Sequence, residues 1–300
     1  MSDLPDPRFA DIIRTDAAAA TAGDIVIIGV PTDEGIKRNG GRVGAAQAPD
    51  EIRKYLRKLT PHSGHSSSKS ISSLRIFDHG NISGASLEEI HLNAKGAIED
   101  YITRGCFVIS LGGGHDVTYP LVNGVRQGLK QDFGLINIDA HLDVREKKNG
   151  FHHSGSSFRL LIEENIVNGK DFTEFGIQPF AAAASHIDWV TSQGSTVRYS
   201  HDIQAEGVTK AFKTEISRLD KFYLSFDIDS IRASDAPGCS APSPVGFTAE
   251  DAIMMCYESA RSGKLISMDI VEVSPPFDID GRTSRLAARM IAATVAGLSE

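Results

Sequence analysis

The sequence contains few cysteines and no long apolar segment. Three cysteines occur among its 300 residues and none forms a Cys-x-x-Cys pair, so a disulfide framework is excluded and a reducing, cytoplasmic setting is expected. Cys106 and Cys256 lie in core patterns, whereas Cys239 lies in a loop where it could be accessible. No apolar run approaches the roughly 20 residues that span a bilayer. Residues 1–23 lack the basic start and apolar centre of a secretory signal.

A surplus of positive charge is also missing. The formal net charge is −8 at pH 7, which argues against binding to nucleic acids or anionic membranes, because both attract basic surfaces. Two common catalytic signatures are absent as well. The chain has no Gly-x-Ser-x-Gly segment, and its glycine run at 112–114 is not followed by the Lys-Ser/Thr of a phosphate loop.

What the chain does contain is an alternation of apolar strand patterns with amphipathic helix patterns. Such alternation predicts a parallel sheet covered by helices on both faces. We predict one domain over residues 1–300, with about eight mainly parallel strands, a loosely ordered N-terminal arm at 1–23 and a mobile Ser/His-rich loop at 61–73. The predicted strands are residues 24–30, 74–78, 106–111, 134–139, 172–177, 196–199, 222–227 and 265–271, and the predicted helices include 49–59, 86–104, 158–165, 205–219, 248–261 and 284–298.

The segment 139–143, Asp-Ala-His-Leu-Asp, carries the clearest functional signal. It follows an apolar strand pattern at 135–138. Because side chains alternate along a strand, Asp139, His141 and Asp143 would point to the same side if the extended conformation continued. Two carboxylates and an imidazole are costly to bury without a partner, and a divalent cation is a partner that fits all three.

Two further segments place metal-binding residue types after strand patterns. Asp227 and Asp229 follow the strand at 222–227, and His115 follows the strand at 106–111 and its glycine turn. Ligands collect beyond the carboxyl ends of parallel strands, so we expect all six side chains at one sheet edge. Two divalent ions would nearly balance the four carboxylates. An oxygen-rich set with two imidazoles suits Mn²⁺ better than Zn²⁺, and such an ion pair would produce hydroxide at neutral pH.

Glu272 is a candidate of a different kind, because it ends the last strand pattern in an otherwise apolar run. One interpretation makes it a cap for the following turn at Ser274. The other makes it an anion that faces the metals and binds a cationic group such as an amidinium. Asp269, earlier in the same strand, would then support the site or serve the structure.

Taken as a set, four motifs resemble those of the ureohydrolase family of arginase, agmatinase and formimidoylglutamase. The resemblance implies the three-layer αβα arginase-like fold, a centre with two Mn²⁺ ions per chain and assembly into a homo-oligomer. The motifs are Gly-Gly-Gly-His-Asp at 112–116, Asp-Ala-His-Leu-Asp at 139–143, Ser-Phe-Asp-Ile-Asp-Ser at 225–230 and Asp-Ile-Val-Glu-Val at 269–273.

The resemblance also implies roles for single residues. Glu272 matches the carboxylate that binds the guanidinium or formimino group of the substrate. Asp139 and Asp227 would bridge the two ions. The ligands of one ion would be His115, Asp139, Asp143 and Asp227, and those of the other would be Asp139, His141, Asp227 and Asp229.

Three segments resemble the formimidoylglutamase branch of the family. They are the Gly-rich loop at 32–44, Arg145 two residues after the 139–143 motif, and the segment His-Ser-Gly-Ser-Ser-Phe-Arg at 153–159. Arginases and agmatinases usually carry His-Gly where this chain has Ser154 and Gly155, and that histidine is their proton shuttle. The proton donor here is therefore open between His153, Ser154 and water.

The branch implies a small anionic substrate derived from an amino acid. N-formimino-L-glutamate carries two carboxylates, which an arginine can bind with two parallel hydrogen bonds. Arg159 is the first candidate and Arg145 the second, with a surface salt bridge as the alternative for each, and Asn39 of the 32–44 loop is a third. The predicted reaction is hydrolysis to L-glutamate and formamide in histidine degradation. The alternatives are another ureohydrolase, a metal-dependent deacetylase, and a non-catalytic arginase-like binding protein.

Overall fold

A nine-stranded sheet forms the centre of the structure, a computed structural model that describes residues 6–62 and 71–300. The strands are β1 Ile13–Arg14, β2 Ile25–Gly29, β3 Ile76–Asn81, β4 Phe107–Leu111, β5 Gly134–Ile138, β6 Phe172–Ile177, β7 Thr196–Tyr199, β8 Phe222–Asp227 and β9 Leu265–Val271. They lie in the order β1-β3-β2-β4-β9-β8-β5-β6-β7, and every neighbouring pair is parallel. The predicted α/β class is confirmed.

Helices cover both faces of this sheet, as the sequence predicted. In β2, Ile25 and Ile27 pack into the core on one face, and Val26 and Ile28 pack into the core on the other. Burial on both faces explains why the strands are continuously apolar rather than alternating. The helices are α1 Phe9–Ile12, α2 Glu34–Asn39, α3 Ala48–Leu56, α4 Leu87–Thr103, α5 Thr118–Leu129, α6 Ser157–Glu163, α7 Ala184–Ser192, α8 Ser200–Glu206, α9 Val208–Ser217, α10 Ala249–Arg261 and α11 Arg282–Leu298.

The N-terminal arm is attached to the sheet at residues 13–14, whereas the sequence predicted loose order there. β1 pairs with β3 at the sheet edge, with Ile13 opposite Ile76, and Phe9 is buried in the core. A strand of two residues is too short to show periodicity, so only the tertiary contact reveals it. The expected mobile loop at 61–73 falls largely outside the described residues, which omit 63–70.

Two helix boundaries also differ from the prediction. One helix was expected at 205–219, but Gly207 adopts a φ of 93° and separates α8 from α9. Glycine has no β-carbon and adopts a positive φ at little energetic cost, so the helix can break at this residue. The predicted loop at 32–44 contains the short helix α2, which ends at Gly40 with a φ of 86°.

The strand order places the predicted functional segments side by side. Strands β4, β9, β8 and β5 are consecutive in the sheet, and each one contains the start of a motif segment or is followed directly by one. Parallel strands present their carboxyl ends at the same edge, so residues far apart in sequence meet there. No helix within residues 6–62 and 71–300 is long and apolar enough to cross a membrane.

Gly124 determines how closely α5 approaches α4. A β-carbon on Gly124 would lie 2.6 Å from the carbonyl oxygen of Lys95, so Gly124→Ala should destabilise the protein by about 1–3 kcal/mol through overpacking. Gly96 on α4 is exposed with nothing within 4 Å of such an atom. Gly96→Ala should therefore stabilise by up to about 1 kcal/mol, because alanine favours helix. Urea unfolding followed by circular dichroism measures the free energy of unfolding of both variants. If both changed it in the same direction, close packing at Gly124 would not explain the difference between the two sites.

Candidate metal centre

The six side chains predicted to bind metal converge at the carboxyl edge of the sheet. They form two groups, and within each group the potential ligand atoms lie within 4.8 Å of one another. Asp139 belongs to both groups, as the bridging role implied by the resemblance requires. Asp227, for which the same role was implied, belongs only to the first group. The first group is His115, Asp139, Asp143 and Asp227, and the second is Asp139, His141 and Asp229.

The backbone of the 139–143 segment differs from the extended form assumed from the sequence. β5 ends at Ile138, and Asp143 has a φ of 47° in the left-handed region. The Asp139 carboxylate accepts a hydrogen bond of 2.7 Å from the backbone N–H of His141. A tight turn therefore brings Asp139 and Asp143 to the same point, and the two-residue period of a strand does not.

His115 provides the best test of whether this cluster fits a metal ion. Its Nδ1 atom lies 3.2 Å from Asp139, 3.0 Å from Asp143 and 3.1 Å from Asp227. The ring is fully buried, yet the directions of these contacts leave Nδ1 without a hydrogen-bond partner. A buried nitrogen aimed between three carboxylates is the donor arrangement that a divalent cation requires, so the residues present fit such an ion.

The second group is closer to solvent. His141 Nδ1 lies 3.1 Å from Asp229 and 3.6 Å from Asp139, and one carboxylate oxygen of the buried Asp229 has no partner. The His141 side chain keeps 29% of its surface exposed. It borders an open cavity of about 450 Å³ that is also lined by Gln178, Phe180 and Val245. A small molecule can therefore approach the cluster from the side of His141.

The other ring nitrogen of His115 is held by a buried hydrogen-bond network. Nε2 lies 3.0 Å from the hydroxyl of Ser225, and that hydroxyl donates to Asp269 at 2.7 Å. Thr118 and Tyr223 each donate to the second oxygen of Asp269 at 2.8 Å. This network favours a proton on Nε2 and a free electron pair on Nδ1, which is the tautomer that binds metal. Asp269 thus supports the site, one of the two roles considered for it.

The charges of the cluster change the pKa values of its members. Burial, with the neighbouring carboxylates, raises the pKa of Asp227 well above its ordinary value, and burial raises that of Asp229 to about 6. The charge of Asp229 raises the pKa of His141 to about 12. Burial opposes a charge on His115, but its three carboxylate neighbours raise its pKa as well. The cluster therefore favours positive charge between its carboxylates, whether from protons or from metal ions.

Glu272 lies immediately after β9 and is buried beside His115. Its carboxylate accepts a hydrogen bond of 2.9 Å from the backbone N–H of His115. Burial raises its pKa to about 8. Its φ of 64° is unusual for a residue with a long side chain and is a form of backbone strain typical of functional sites. This position beside the cluster agrees better with a functional role than with a simple turn cap.

The geometry does not support His153 as a proton donor. Its Nε2 lies 2.9 Å from the carbonyl oxygen of Glu146, and its Nδ1 accepts from the backbone N–H of Gly155 at 3.1 Å. The ring is buried. Both nitrogens are therefore engaged with the backbone of their own loop, and the imidazole fixes the loop conformation.

Three other predicted residues form a continuous hydrogen-bonded chain. Arg145 donates to Asn39 at 2.9 Å, and Asn39 donates to the hydroxyl of Ser154 at 3.0 Å. Ser154 is buried, whereas Arg145 is exposed. The contact joins the end of α2 to the loop that follows the 139–143 motif, so residues predicted separately for substrate binding and for catalysis lie together.

Arg159, the first candidate for a substrate carboxylate, is instead paired within its own surroundings. Its guanidinium contacts Glu163 at 2.8 Å and Glu146 at 3.2 Å, and it lies over the ring of Trp189 at 4.5 Å. Two protein carboxylates and an aromatic face already satisfy this cation. The surface salt bridge considered as the alternative is what the geometry supports.

Cys239 is fully buried, so the expectation that it could be accessible is wrong. The loop that carries it is held over the site by Arg42, which donates to the carbonyl oxygens of Cys239 and Ser240 at 2.8 and 2.9 Å. All three cysteines are buried and unpaired.

Sequence reasoning missed the residues that support the ligands. Thr118, Tyr223 and Ser225 were given no role, although Ser225 lies two residues before Asp227 and therefore on the same side of β8. Glu174 in β6 was also overlooked, although a carboxylate in the apolar strand Phe172–Ile177 is itself a signal.

Comparison with known proteins agrees with this geometry. A model of the arginase family matches residues 23–297, and the chain belongs to that family. It is 35% identical over 285 residues to the formimidoylglutamase of Rhodococcus jostii (strain RHA1), covering 91% of this chain and 85% of that protein. It is 33% identical over 293 residues to the formimidoylglutamase of Streptococcus pyogenes serotype M49 (strain NZ131), covering 94% and 87%.

A solved structure extends this similarity to three dimensions. The crystal structure of Trypanosoma cruzi formiminoglutamase with two Mn²⁺ ions superimposes with a TM-score of 0.91 at 33% sequence identity. The match covers 98% of this chain and 99% of that one. The arginase-like αβα architecture predicted from the motifs is confirmed.

Ser225→Ala should weaken Mn²⁺ binding by about 10–100-fold, because His115 loses the partner that orients its ring. Titration against a competing chelator measures the affinity. Ser267→Ala is the matched control, since Ser267 is buried in neighbouring β9 but donates to the carbonyl of Val108. Equal affinities in the two variants would contradict the orienting role of Ser225.

Proposed function

We propose that this protein is a formimidoylglutamase that uses two Mn²⁺ ions. It hydrolyses N-formimino-L-glutamate to L-glutamate and formamide, with the water oxygen joining the formimino carbon and the substituted nitrogen leaving as the amine. The observation that carries the proposal is the pair of donor groups that share Asp139 at one sheet edge. The names of the relatives and the two Mn²⁺ ions in the similar crystal structure support the same conclusion.

The six side chains at the sheet edge hold the ions in this proposal. Once bound, two Mn²⁺ ions would lower the pKa of a water molecule and supply a nucleophile at neutral pH. The protein's contribution is to keep His115 and its carboxylate neighbours dry and fixed, through Ser225 and the network behind it. The partly exposed His141 lies on the side of the cluster from which substrate would enter.

Glu272 would bind the cationic formimino group. Its carboxylate is anchored by the backbone N–H of His115, which keeps it beside the metal-binding side chains. An amidinium offers parallel N–H groups that match a carboxylate. Pairing of this kind would hold the formimino carbon against the metal cluster.

Arg145 would bind a substrate carboxylate, in preference to Arg159. Arg145 is exposed, contacts a neutral amide rather than an acidic side chain, and is joined through Asn39 to the loop beside the cluster. An arginine held by a neutral partner keeps its full charge for an anionic ligand. Arg159 lacks this freedom because Glu146 and Glu163 already pair with it.

Ser154 is the side chain of this loop that is best placed to pass a proton to the leaving nitrogen. It accepts from Asn39, and its own hydroxyl proton has no acceptor within the part of the chain that the structure describes. The two backbone contacts of His153 argue against a role for its imidazole in this step. Water would complete the proton transfer.

The proposal extends to the domain organisation, location, assembly and pathway of the enzyme. Residues 1–300 would form one arginase-like domain, which the single sheet from β1 to β9 supports. The three buried, unpaired cysteines support a reducing, cytoplasmic location. We also propose a homo-oligomer, and a place in histidine degradation that follows from the names of the relatives.

The proposal is tested by a substrate panel with the Mn²⁺-loaded protein. N-formimino-L-glutamate should be hydrolysed with a kcat/KM at least about 100-fold above those of arginine, agmatine and 4-guanidinobutyrate. A substrate that does not place a carboxylate at Arg145 and a formimino group at Glu272 leaves polar groups of the site unpaired. Release of formamide and glutamate is followed by NMR. Preferential turnover of arginine would overturn the substrate assignment, and failure of the purified protein to bind Mn²⁺ would overturn the metal centre.

Arg145→Leu should raise the KM for N-formimino-L-glutamate by about 10–100-fold, because a charged hydrogen bond of about 1.5–3 kcal/mol is lost. Arg159→Leu is the matched control and should leave KM nearly unchanged. Steady-state kinetics of both variants at saturating Mn²⁺ gives the comparison. A larger KM increase in the Arg159 variant would restore the order expected from the sequence.

A further inference from the structure

A row of polar residues crosses the interior of the sheet directly below the metal cluster. The strand registers align Ser110 of β4 with Asp269 of β9, Asp269 with Ser225 of β8, Ser225 with Asn137 of β5, and Asn137 with Glu174 of β6. Each of the five has no exposed surface. The row lies two residues before Asp139 and Asp227, and therefore on the same face as these ligands.

The two acidic residues of this row are satisfied very unequally. Asp269 accepts hydrogen bonds from three hydroxyl groups. Glu174 accepts one, of 2.8 Å from the side-chain amide of Asn137, and its other carboxylate oxygen has no partner. A buried carboxyl group with a single donor costs stability, so a merely structural explanation for Glu174 is weak.

Asn137 connects Glu174 to the metal cluster. Its amide nitrogen also donates to Asp139, at 3.2 Å, so its two N–H groups have one acceptor each. The carbonyl oxygen of Asn137 and one oxygen of Glu174 are both buried without a partner. A protonated Glu174 would carry a hydrogen-bond donor, which is the group that the carbonyl oxygen of Asn137 lacks. Burial, with the nearby charge of Asp139, raises the pKa of Glu174 well above its ordinary value and favours that proton.

Asp139 is the ligand for which such support matters most, because it is the member shared by both donor groups. One of its oxygens accepts from the backbone N–H of His141 at 2.7 Å. The other accepts from Asn137 and also faces His115. The two hydrogen bonds together fix the rotation of the carboxylate, and only the bond from Asn137 depends on a side chain.

We propose that Asn137 and Glu174 are a positioning pair, in which Glu174 orients the Asn137 amide and the amide fixes the Asp139 carboxylate for binding two metal ions. This inference rests on the proposed metal function. Within the polar row, Ser225 and Asp269 hold His115. The proposal gives Asn137 and Glu174 a separate role at Asp139. The pair does not touch the substrate and acts only through Asp139.

Three variants at these two positions test the pair by Mn²⁺ affinity and by thermal unfolding of the metal-free protein. Glu174→Met and Asn137→Leu should each weaken Mn²⁺ binding by about 10–100-fold. Glu174→Gln should retain the wild-type affinity, because glutamine can still donate to and accept from the Asn137 amide. Thr173→Val, buried on the opposite face of β6, is the matched control and should bind as the wild type does.

Thermal unfolding separates positioning from a structural role. The metal-free Glu174→Met protein should unfold at the same temperature or higher, since an apolar side chain replaces a poorly satisfied buried acid. If Asn137→Leu does not fold, Asn137→Ser is titrated in its place. Wild-type affinity in Glu174→Met and in the Asn137 variant would overturn the inference, as would a Glu174→Gln protein as weak as Glu174→Met. A wild-type protein that binds no Mn²⁺ would instead overturn the proposed function itself.

Discussion

The structure depends on the concentration of negative charge at one edge of the sheet. Asp139, Asp143 and Asp227 direct oxygens at a single buried nitrogen of His115, all within about 3.0–3.2 Å. Buried carboxylates this close repel one another unless positive charge lies between them. The strand ends and the buried hydrogen-bond network around the cluster hold these groups together and keep them away from water.

The sheet meets this requirement by its strand order and by the layer below the ligands. β4, β9, β8 and β5 are neighbours, so their carboxyl ends deliver donors from distant parts of the sequence to one place. The polar row one pleat lower then fixes the directions of those donors, with Ser225 below His115 and Asn137 below Asp139. Buried polar groups in the interior of a sheet lower the stability of the fold. Their presence here is explained by the need to orient the metal-binding side chains rigidly.

Two kinds of segment surround the cluster: strand ends, and the loops and short helix beside them. The ligands and Glu272 follow directly from strands, whereas Arg145, Asn39 and Ser154 come from loops and a short helix that meet through side-chain hydrogen bonds. Loops carried by a rigid scaffold can vary without disturbing the centre.

The sequence by itself predicted the sheet class and the six side chains that converge at the sheet edge, because both leave local marks: apolar runs of strand length, each followed by Asp or His. It could not determine the turn at Asp143, the attachment of residues 9–14 to the sheet, or the burial of Cys239, since these depend on contacts between distant segments. The tertiary structure also decided which of several similar residues is available. It engages both nitrogens of His153 and pairs Arg159 with glutamates, while Arg145 contacts the neutral side chain of Asn39. Residue type gives the chemistry that is possible at a position, and only the neighbours in space determine whether that chemistry is already used.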